Sequence, residues 1–438
     1  MPADRASPDL PPAGDPEAHV AAFANGVRVV VVPLPHLATA AASVFVRSGS
    51  QHESAECSGI GHVIEHMAFK GTRSRDCQRI NLDAERLGAE VNAHTDRDHT
   101  AFYMRGRARD AEAFVRMLGD IVRDSTFPDD ELERERGVIL HELAENQDDP
   151  AATAFELFDR ASYGTHPAAS PVIGTRANIK RFTRDELAAW VERQYTGANT
   201  VVGVAGNVDP DTIVAAAQAV FGDMPKGRAN VTEAPPWVGG IRARRLTGAS
   251  QADIVLGFPI PPLRQAPTAF AVAAALLGEG MSSPLLDRLR ERRGLVYHAD
   301  CWTDVRDAWG QFVIEATTAP EKLRETVEEI ATLLRESAAT ADPVGLERAR
   351  NQVEVRGLCD HEVPDKRLEA AAVDLFALGR VRSRDEIAAG IRAVDSAGVR
   401  DAFAHMLAAG AAVGIAGNMS RSATTHVARA LQMPGGRA

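Results

Sequence analysis

The chain has 438 residues, too many for one hydrophobic core of ordinary size, so we expect at least two domains. Apolar residues make up 45% of the sequence and charged residues 25%, which is typical of a soluble globular protein. The formal net charge of -11 argues against nucleic acid as a partner, because phosphate backbones bind basic surfaces.

The first residues, MPADRASPDLPPAGDPEAH, are rich in Pro, Asp and Ala and contain no apolar run after a basic start. This composition predicts a disordered tail over residues 1–20 and not a secretion signal. No later stretch offers the ~20 consecutive apolar residues of a membrane-spanning helix. Four scattered cysteines without a C-x-x-C pair are typical of reduced thiols. We therefore expect a cytoplasmic protein with no membrane partner.

Short β-branched segments alternate with helical ones through the first half of the chain. VRVVVVPLP (27–35) and AASVFVRSG (41–49) predict strands. Three later segments have helical periodicity, the third of them opening on a proline followed by acidic residues. They are QRINLDAERLGAEV (78–91), ARDAEAFVRMLGDIVRDS (108–125) and PDDELERERGVILHELAEN (128–146).

The second half repeats a signature of the first. VGVAGNVD (202–209) returns as VGIAGNMS (413–420) with an offset of 211 and five of eight positions identical, and a helical segment with Met-Pro follows each copy. This order predicts a duplication. The expected fold is α+β, with two homologous domains that each carry a mixed or antiparallel sheet with helices packed on it. The predicted boundaries are 21–228 for the N-terminal domain, 229–245 for a Pro- and Gly-rich linker and 246–438 for the C-terminal domain.

The segment GHVIEHM places His62, Glu65 and His66 on one face of a predicted helix, because positions i, i+3 and i+4 are neighbours there. Two imidazoles one turn apart can hold one zinc ion, and the glutamate can take a proton from water that the metal activates. The order H-x-x-E-H is the inverzincin signature. Ordinary core or surface roles are the alternative, but ionisable groups in so apolar a segment need a partner.

A catalytic zinc ion takes a third protein ligand and leaves one position for water. The acidic helix at 128–146 offers Glu135 and Glu142, which are seven residues apart and lie on one face. Spacing does not choose between them, and a solvated acidic face is the alternative. Two further histidines, His94 and His99, alternate with polar residues and are expected to be solvated.

Several motifs in the right order, from about residue 25 to 420, resemble the pitrilysin-type zinc peptidases. The resemblance is closest to the short-subunit branch that includes the mitochondrial processing peptidase and its bacterial relatives. The motifs are SGIGHVIEHMAFKGT, LGAEVNAHTDRDHTAFY, ERGVILHELAENQDDP, HPAASPVIGTRANIKRFTRDEL and SSPLLDRLRERRGLVYHA.

The resemblance implies a zinc site built from His62, His66 and Glu142, with one zinc ion per chain. It also implies that Glu65 is the general base and that Glu135 supports the site. The chain departs from the family pattern at His141, where a glutamate is usual. We expect no effect of this change, because adjacent helix residues point about 100° apart.

The other implied site residues bind the substrate or stabilise the transition state. Asn92, Ala93 and Thr95 fall on a strand that the resemblance places at a sheet edge beside the zinc, where a peptide can add through backbone hydrogen bonds. Arg290 would hold a substrate carbonyl, and the Tyr297 hydroxyl would donate to the oxyanion.

In such enzymes four domains enclose a clamshell chamber, and this chain supplies two of them. The implied function is a zinc endopeptidase for short or unfolded peptides. A homodimer would complete two sites, each with Arg290 and Tyr297 from the other chain. A heterodimer with a metal-free sister subunit, a non-catalytic assembly subunit and a non-proteolytic zinc hydrolase are the alternatives.

Overall fold

Two sheets organise the computed structural model, which describes residues 14–15 and 17–433. The strands of the first sheet are β1 (His19–Ala22), β2 (Arg28–Pro33), β3 (Thr39–Val46), β4 (Glu90–Thr95), β5 (Thr100–Arg107) and β6 (Thr200–Gly206). Those of the second are β7 (Gly240–Arg245), β8 (Ala252–Ile260), β9 (Val296–Val305), β10 (Gly310–Thr318) and β11 (Ala412–Gly417).

Helices connect the strands in both halves. The first half contains α1 (Ile60–Met67), α2 (Cys77–Arg86), α3 (Ala111–Asp124), α4 (Asp129–Asp148), α5 (Pro150–Tyr163), α6 (Arg176–Arg181), α7 (Arg184–Gln194) and α8 (Pro210–Phe221). The second contains α9 (Thr268–Gly278), α10 (Pro284–Leu286), which continues into a π-helical segment (Asp287–Arg292), α11 (Leu323–Ala339), α12 (Pro343–Glu362), α13 (Pro364–Leu378), α14 (Arg384–Ala393), α15 (Ser396–Ala409) and α16 (Ala423–Ala430).

The two sheets have the same topology. The strand orders are β1-β2-β6-β3-β5-β4 and β7-β11-β8-β10-β9, so the second sheet repeats the first without β1. In each sheet one pair is parallel, β2 with β6 and β7 with β11, and the other pairs are antiparallel. The repeated VG(V/I)AGN segments form the equivalent strands β6 and β11. The predicted α+β fold with two mixed sheets is confirmed.

Each sheet is covered on one face by a helix from the other half. In β3, Ala42 and Val44 face the core of the first half, whereas Ala41 and Phe45 pack in a cluster with Leu368 of α13. In the second half, α5 covers β8 and β11. Burial on both faces explains why strands such as RVVVVP are continuously apolar instead of alternating. The exchange of α13 and α5 joins the halves through shared cores.

One repeated glycine makes room for each exchanged helix. A Cβ atom on Gly414 of β11 would lie 2.0 Å from the Ala154 carbonyl oxygen and 2.5 Å from the Phe158 backbone nitrogen, both in α5. The equivalent residue of β6, Gly203, would place a Cβ 3.0 Å from Cδ2 of Leu368 in α13. The backbone of α5 cannot yield as easily as the end of a leucine side chain can.

We expect Gly414→Ala to lower the free energy of unfolding by about 3 kcal/mol, because α5 must move off the second sheet. Gly203→Ala is the matched control and should cost about 1 kcal/mol, because Leu368 can change rotamer. The midpoints of denaturant unfolding measure both changes. Equal midpoints for the two variants would contradict this account of the helix exchange.

Three predicted boundaries differ from the structure. The linker predicted over 229–245 ends too late, since residues 240–245 form the edge strand β7 beside β11. The helix predicted over 78–91 ends at Arg86, because Gly88 adopts a φ of 63° and the chain turns into β4. The tail predicted over 1–20 lies mostly outside the described residues, but β1 begins at His19.

The described end of the tail is attached to the second half. Asp15 is buried, and one of its carboxylate oxygens lies 3.4 Å from Arg367 of α13. All four cysteines are free. Among the described residues, none of the helices is both long and apolar enough to cross a bilayer.

Candidate metal centre

The start of α1 is fixed by a buried carboxylate. Glu53 accepts hydrogen bonds from the backbone N–H groups of Gly59 (2.7 Å) and Gly61 (2.9 Å), which satisfies donors that a helix N-terminus leaves free. Gly59 has a φ of 95° and touches Gly174, where a Cβ would lie 2.4 Å from the Gly59 Cα. This close approach sets the position of the helix that carries His62, three residues later.

Helices α1 and α4 bring two imidazoles and one carboxylate to a common point. His62 Nε2 lies 3.6 Å from Glu142 Oε1, and His66 Nε2 lies 3.7 Å from Glu142 Oε2. One ligand atom from each of the three residues lies within 4.8 Å of the others. Tetrahedral zinc with bonds of about 2.0–2.1 Å holds its ligands about 3.3 Å apart, so small side-chain movements would close the site on an ion.

His66 is oriented from behind by Glu135. Its Nδ1 lies 3.0 Å from Glu135 Oε2, while Lys70 Nζ lies 2.7 Å from the other carboxylate oxygen. Burial alone would raise the pKa of Glu135, but the hydrogen bonds from Lys70 and His66 outweigh it and hold the pKa below its usual value. An ionised carboxylate only accepts, so His66 carries its proton on Nδ1 and turns the Nε2 lone pair towards Glu142.

The protonation states suit a cation. Burial lowers the pKa of His62 to about 4, and the neighbouring His66 acts in the same direction. The imidazole is therefore neutral at neutral pH and keeps a lone pair for a metal. Burial raises the pKa of Glu142, His66 opposes the rise and Glu65 adds to it. A cation between the three groups would offset the cost of a charged Glu142.

Glu65 presents a carboxylate to a cavity beside the two histidines. The cavity has a volume of about 580 Å³, and its wall includes His62, Glu65, Thr95 and Glu142. The Glu65 Oε2 atom is buried and has no hydrogen-bond partner within the described ranges, 14–15 and 17–433. A buried carboxylate oxygen without a donor is a group that can accept a proton.

The other predicted site residues fall into two sets, one on β4 beside the cavity and one in the second half of the chain. Asn92, Ala93 and Thr95 lie on β4, which is the edge strand of the first sheet, and Thr95 lines the cavity. Arg290 contacts Glu291 and Met281 in the second half. Tyr297 lies on β9 and is 65% exposed, and neither Arg290 nor Tyr297 lines the cavity.

Two residues qualify the sequence interpretation. His141 is largely exposed and lies 3.3 Å from Glu145, outside the ligand group, as expected for a residue that points away from the metal. Lys70 was missed. It lies in the turn that follows the end of α1 at Met67, and the sequence carries no signal that this lysine meets Glu135 on α4.

We expect Glu135→Gln to weaken zinc binding about 10- to 100-fold, since the His66 imidazole loses the carboxylate that orients it. A competition titration with a chelating indicator measures the dissociation constant. Glu133→Gln is the matched control, because Glu133 is exposed on the same helix and pairs only with Arg136 in the described structure. Equal dissociation constants for wild type and Glu135→Gln would contradict the orienting role.

Two family models match consecutive parts of the chain. Residues 28–176 match the model described as Insulinase (Peptidase family M16), and residues 181–353 match the model described as Peptidase M16 inactive domain. His62, Glu65, His66, Glu135 and Glu142 all lie in the first of these segments.

Several relatives are similar over most of the chain. An uncharacterized zinc protease of Bacillus subtilis is 30% identical over 85% of this chain and 91% of its own length. One of Mycobacterium leprae is 34% identical over 71% of each chain. A solved protease from Helicobacter pylori superposes with a TM-score of 0.84 at 20% identity, over 92% of this chain and 99% of that one. At such identity the last comparison shows a shared fold.

Proposed function

Because this chain belongs to the M16 family of peptidases, we propose that it is a zinc-dependent endopeptidase that hydrolyses short or unfolded peptides. The observation that carries the proposal is the convergence of His62, His66 and Glu142 beside the unpaired carboxylate of Glu65. The names of the relatives, zinc proteases that are themselves uncharacterized, support the same reaction class.

The proposed reaction gives each side chain of this group a role. A zinc ion held by His62, His66 and Glu142 would polarise the peptide carbonyl and lower the pKa of a water molecule. Glu65 accepts the proton of the attacking water and returns it to the leaving amine. Glu135 keeps the His66 Nε2 turned towards the ligand group through the bond to Nδ1.

Strand β4 offers the peptide a binding edge. It pairs with β5 on one side and is the last strand of its sheet, and its final residue, Thr95, lines the cavity. A peptide added there would be held by its backbone, with Asn92, Ala93 and Thr95 beneath it. Backbone pairing demands an extended substrate, and a folded protein cannot supply one.

The transition state also needs a hydrogen-bond donor for the oxyanion, and the two residues that we propose for substrate and oxyanion contacts lie away from the cavity. Arg290 and Tyr297 lie in the other half of the chain, and the Tyr297 side chain is exposed. We propose a homodimer enclosing a chamber, in which the partner's Tyr297 donates to the oxyanion and the partner's Arg290 holds a substrate carbonyl. A heterodimer with a metal-free sister chain is the alternative assembly. The four free cysteines are consistent with a cytoplasmic location.

A non-catalytic assembly subunit is the second candidate function. The match of residues 181–353 to a model described as an inactive domain favours it. Intact His62, Glu65, His66 and Glu142 favour the enzyme, since a subunit without activity has no use for a proton acceptor beside a metal.

Cleavage of an unstructured quenched-fluorescence peptide tests the proposal. We expect the zinc-loaded chain to cleave this peptide, because only an extended backbone can pair with β4. It should leave intact a folded protein that contains the same peptide sequence, and it should not hydrolyse small amides. No cleavage by zinc-loaded protein would favour the assembly subunit. Hydrolysis of the small amides without peptide cleavage would identify a non-proteolytic hydrolase.

A further inference from the structure

A second group of two histidines and one glutamate lies where the edge of the first sheet meets α13. His94 is on β4, His99 directly precedes β5, and Glu369 is on α13 of the second half. The Nε2 atoms of both histidines lie 3.7 Å from the same oxygen, Glu369 Oε1, and all three ligand atoms lie within 4.8 Å of one another. The corresponding separations in the group at α1 and α4 are 3.6 and 3.7 Å.

His99 is held in the orientation that a metal ligand requires. The residue is only 2% exposed, and its Nδ1 lies 2.8 Å from Asp98 Oδ1. Arg306 donates to the same Asp98 oxygen at 3.0 Å and so keeps that carboxylate ionised. A neutral imidazole that donates from Nδ1 to a carboxylate has its Nε2 lone pair free, as at His66 and Glu135. Burial opposes protonation of His99, but the carboxylates of Asp98, Asp96 and Glu369 raise its pKa, so a metal ion at Nε2 would take the place of a proton.

The Nε2 atom of His99 is the unexplained group. It is buried and has no hydrogen-bond partner in the part of the chain that the structure describes. Its 3.7 Å separation from Glu369 is too long for a hydrogen bond but close to the distance between two ligands of one ion. The sequence interpretation, in which His94 and His99 are solvated, is wrong for His99, because the side chain packs edge-on against Phe45 beneath α13.

We propose that His94 Nε2, His99 Nε2 and Glu369 Oε1 hold a second divalent transition-metal ion, separate from the one at His62, His66 and Glu142. Two imidazoles and a carboxylate suit zinc better than magnesium or calcium, which prefer oxygen ligands. The His94 and Glu369 side chains are 40% and 43% exposed, which leaves a path for the ion and room for water. The ion fastens the edge strand β4 to α13, which belongs to the other half of the chain.

Zinc content of the full chain tests this site. After loading with zinc salt alone and desalting, wild type should hold about two ions per chain by plasma mass spectrometry, and Glu369→Gln and His94→Ala about one each. Glu142→Gln should also hold about one, and the Glu142→Gln/Glu369→Gln double variant none. Circular dichroism checks that the variants fold, as expected for substitutions of partly exposed side chains.

His36→Ala is the matched control, because His36 is exposed and belongs to neither group. It should keep both ions. A wild-type content of one ion that persists in Glu369→Gln and disappears in Glu142→Gln would overturn the proposal and leave an ordinary ion-pair network. Two ions in both wild type and Glu369→Gln would also overturn it. A single ion lost only in Glu369→Gln would support the second site and contradict the first.

Discussion

Glu65→Gln should lower the rate of peptide hydrolysis by about 10²- to 10⁴-fold while zinc content and thermal stability stay unchanged. The two side chains have the same shape, but the amide cannot accept a proton from water. The metal ligands are His62, His66 and Glu142 in this account, so the ion should remain bound. Single-turnover cleavage of a quenched peptide measures the rate, and mass spectrometry of the same sample measures the zinc.

Glu56→Gln is the control for this experiment, because Glu56 is exposed just before α1 and lies outside the cavity. It should cleave at the wild-type rate. A Glu65→Gln chain that keeps most of its turnover would contradict the assignment of the base. Loss of zinc along with turnover would instead place Glu65 among the ligands.

Two inactive chains should restore activity when they are mixed. Glu65→Gln lacks the base, and Tyr297→Phe lacks the oxyanion donor, a loss that costs about 10²- to 10³-fold. In a homodimer with shared sites, a mixed pair contains one intact site, made from the zinc group of one chain and the Tyr297 of the other. After random exchange of equal amounts, half of the pairs are mixed and each has one working site of two, so about a quarter of wild-type activity should return.

The control mixture combines Glu65→Gln with Glu142→Gln, whose defects lie in the same zinc group. It should stay inactive, because a mixed pair then has a defect in both sites. If the mixture of Glu65→Gln and Tyr297→Phe also stays inactive although the chains exchange, Tyr297 does not act on the partner's site. Wild-type turnover by Tyr297→Phe alone would remove this residue from the reaction.

The sequence predicts local geometry well. His62, Glu65 and His66 share a face because helix periodicity is a property of a few consecutive residues, and α1 forms where the pattern indicates. The spacing of Glu135 and Glu142 could not assign their roles. Both face α1, but Glu142 meets the Nε2 atoms whereas Glu135 meets His66 Nδ1, and this difference depends on how two helices cross.

The packing between distant segments of the chain could not be predicted from the sequence in the same way. Helices α5 and α13 are apolar on one side, but nothing in an amphipathic pattern states which sheet that side will cover. The repeated glycines, Gly203 and Gly414, lie where a helix packs closely on the strand, but the sequence alone does not identify that helix. For the same reason the meeting of His99 with Glu369, 270 positions later in the chain, was not predicted.

The most direct test of the zinc peptidase assignment is cleavage of the unstructured peptide by chelator-treated, metal-free protein before and after zinc is restored. We predict no cleavage by the metal-free chain and recovery of the original rate once the His62, His66 and Glu142 group is filled. Undiminished cleavage by protein that contains no metal would contradict the zinc peptidase assignment, and so would the absence of cleavage by fully loaded protein.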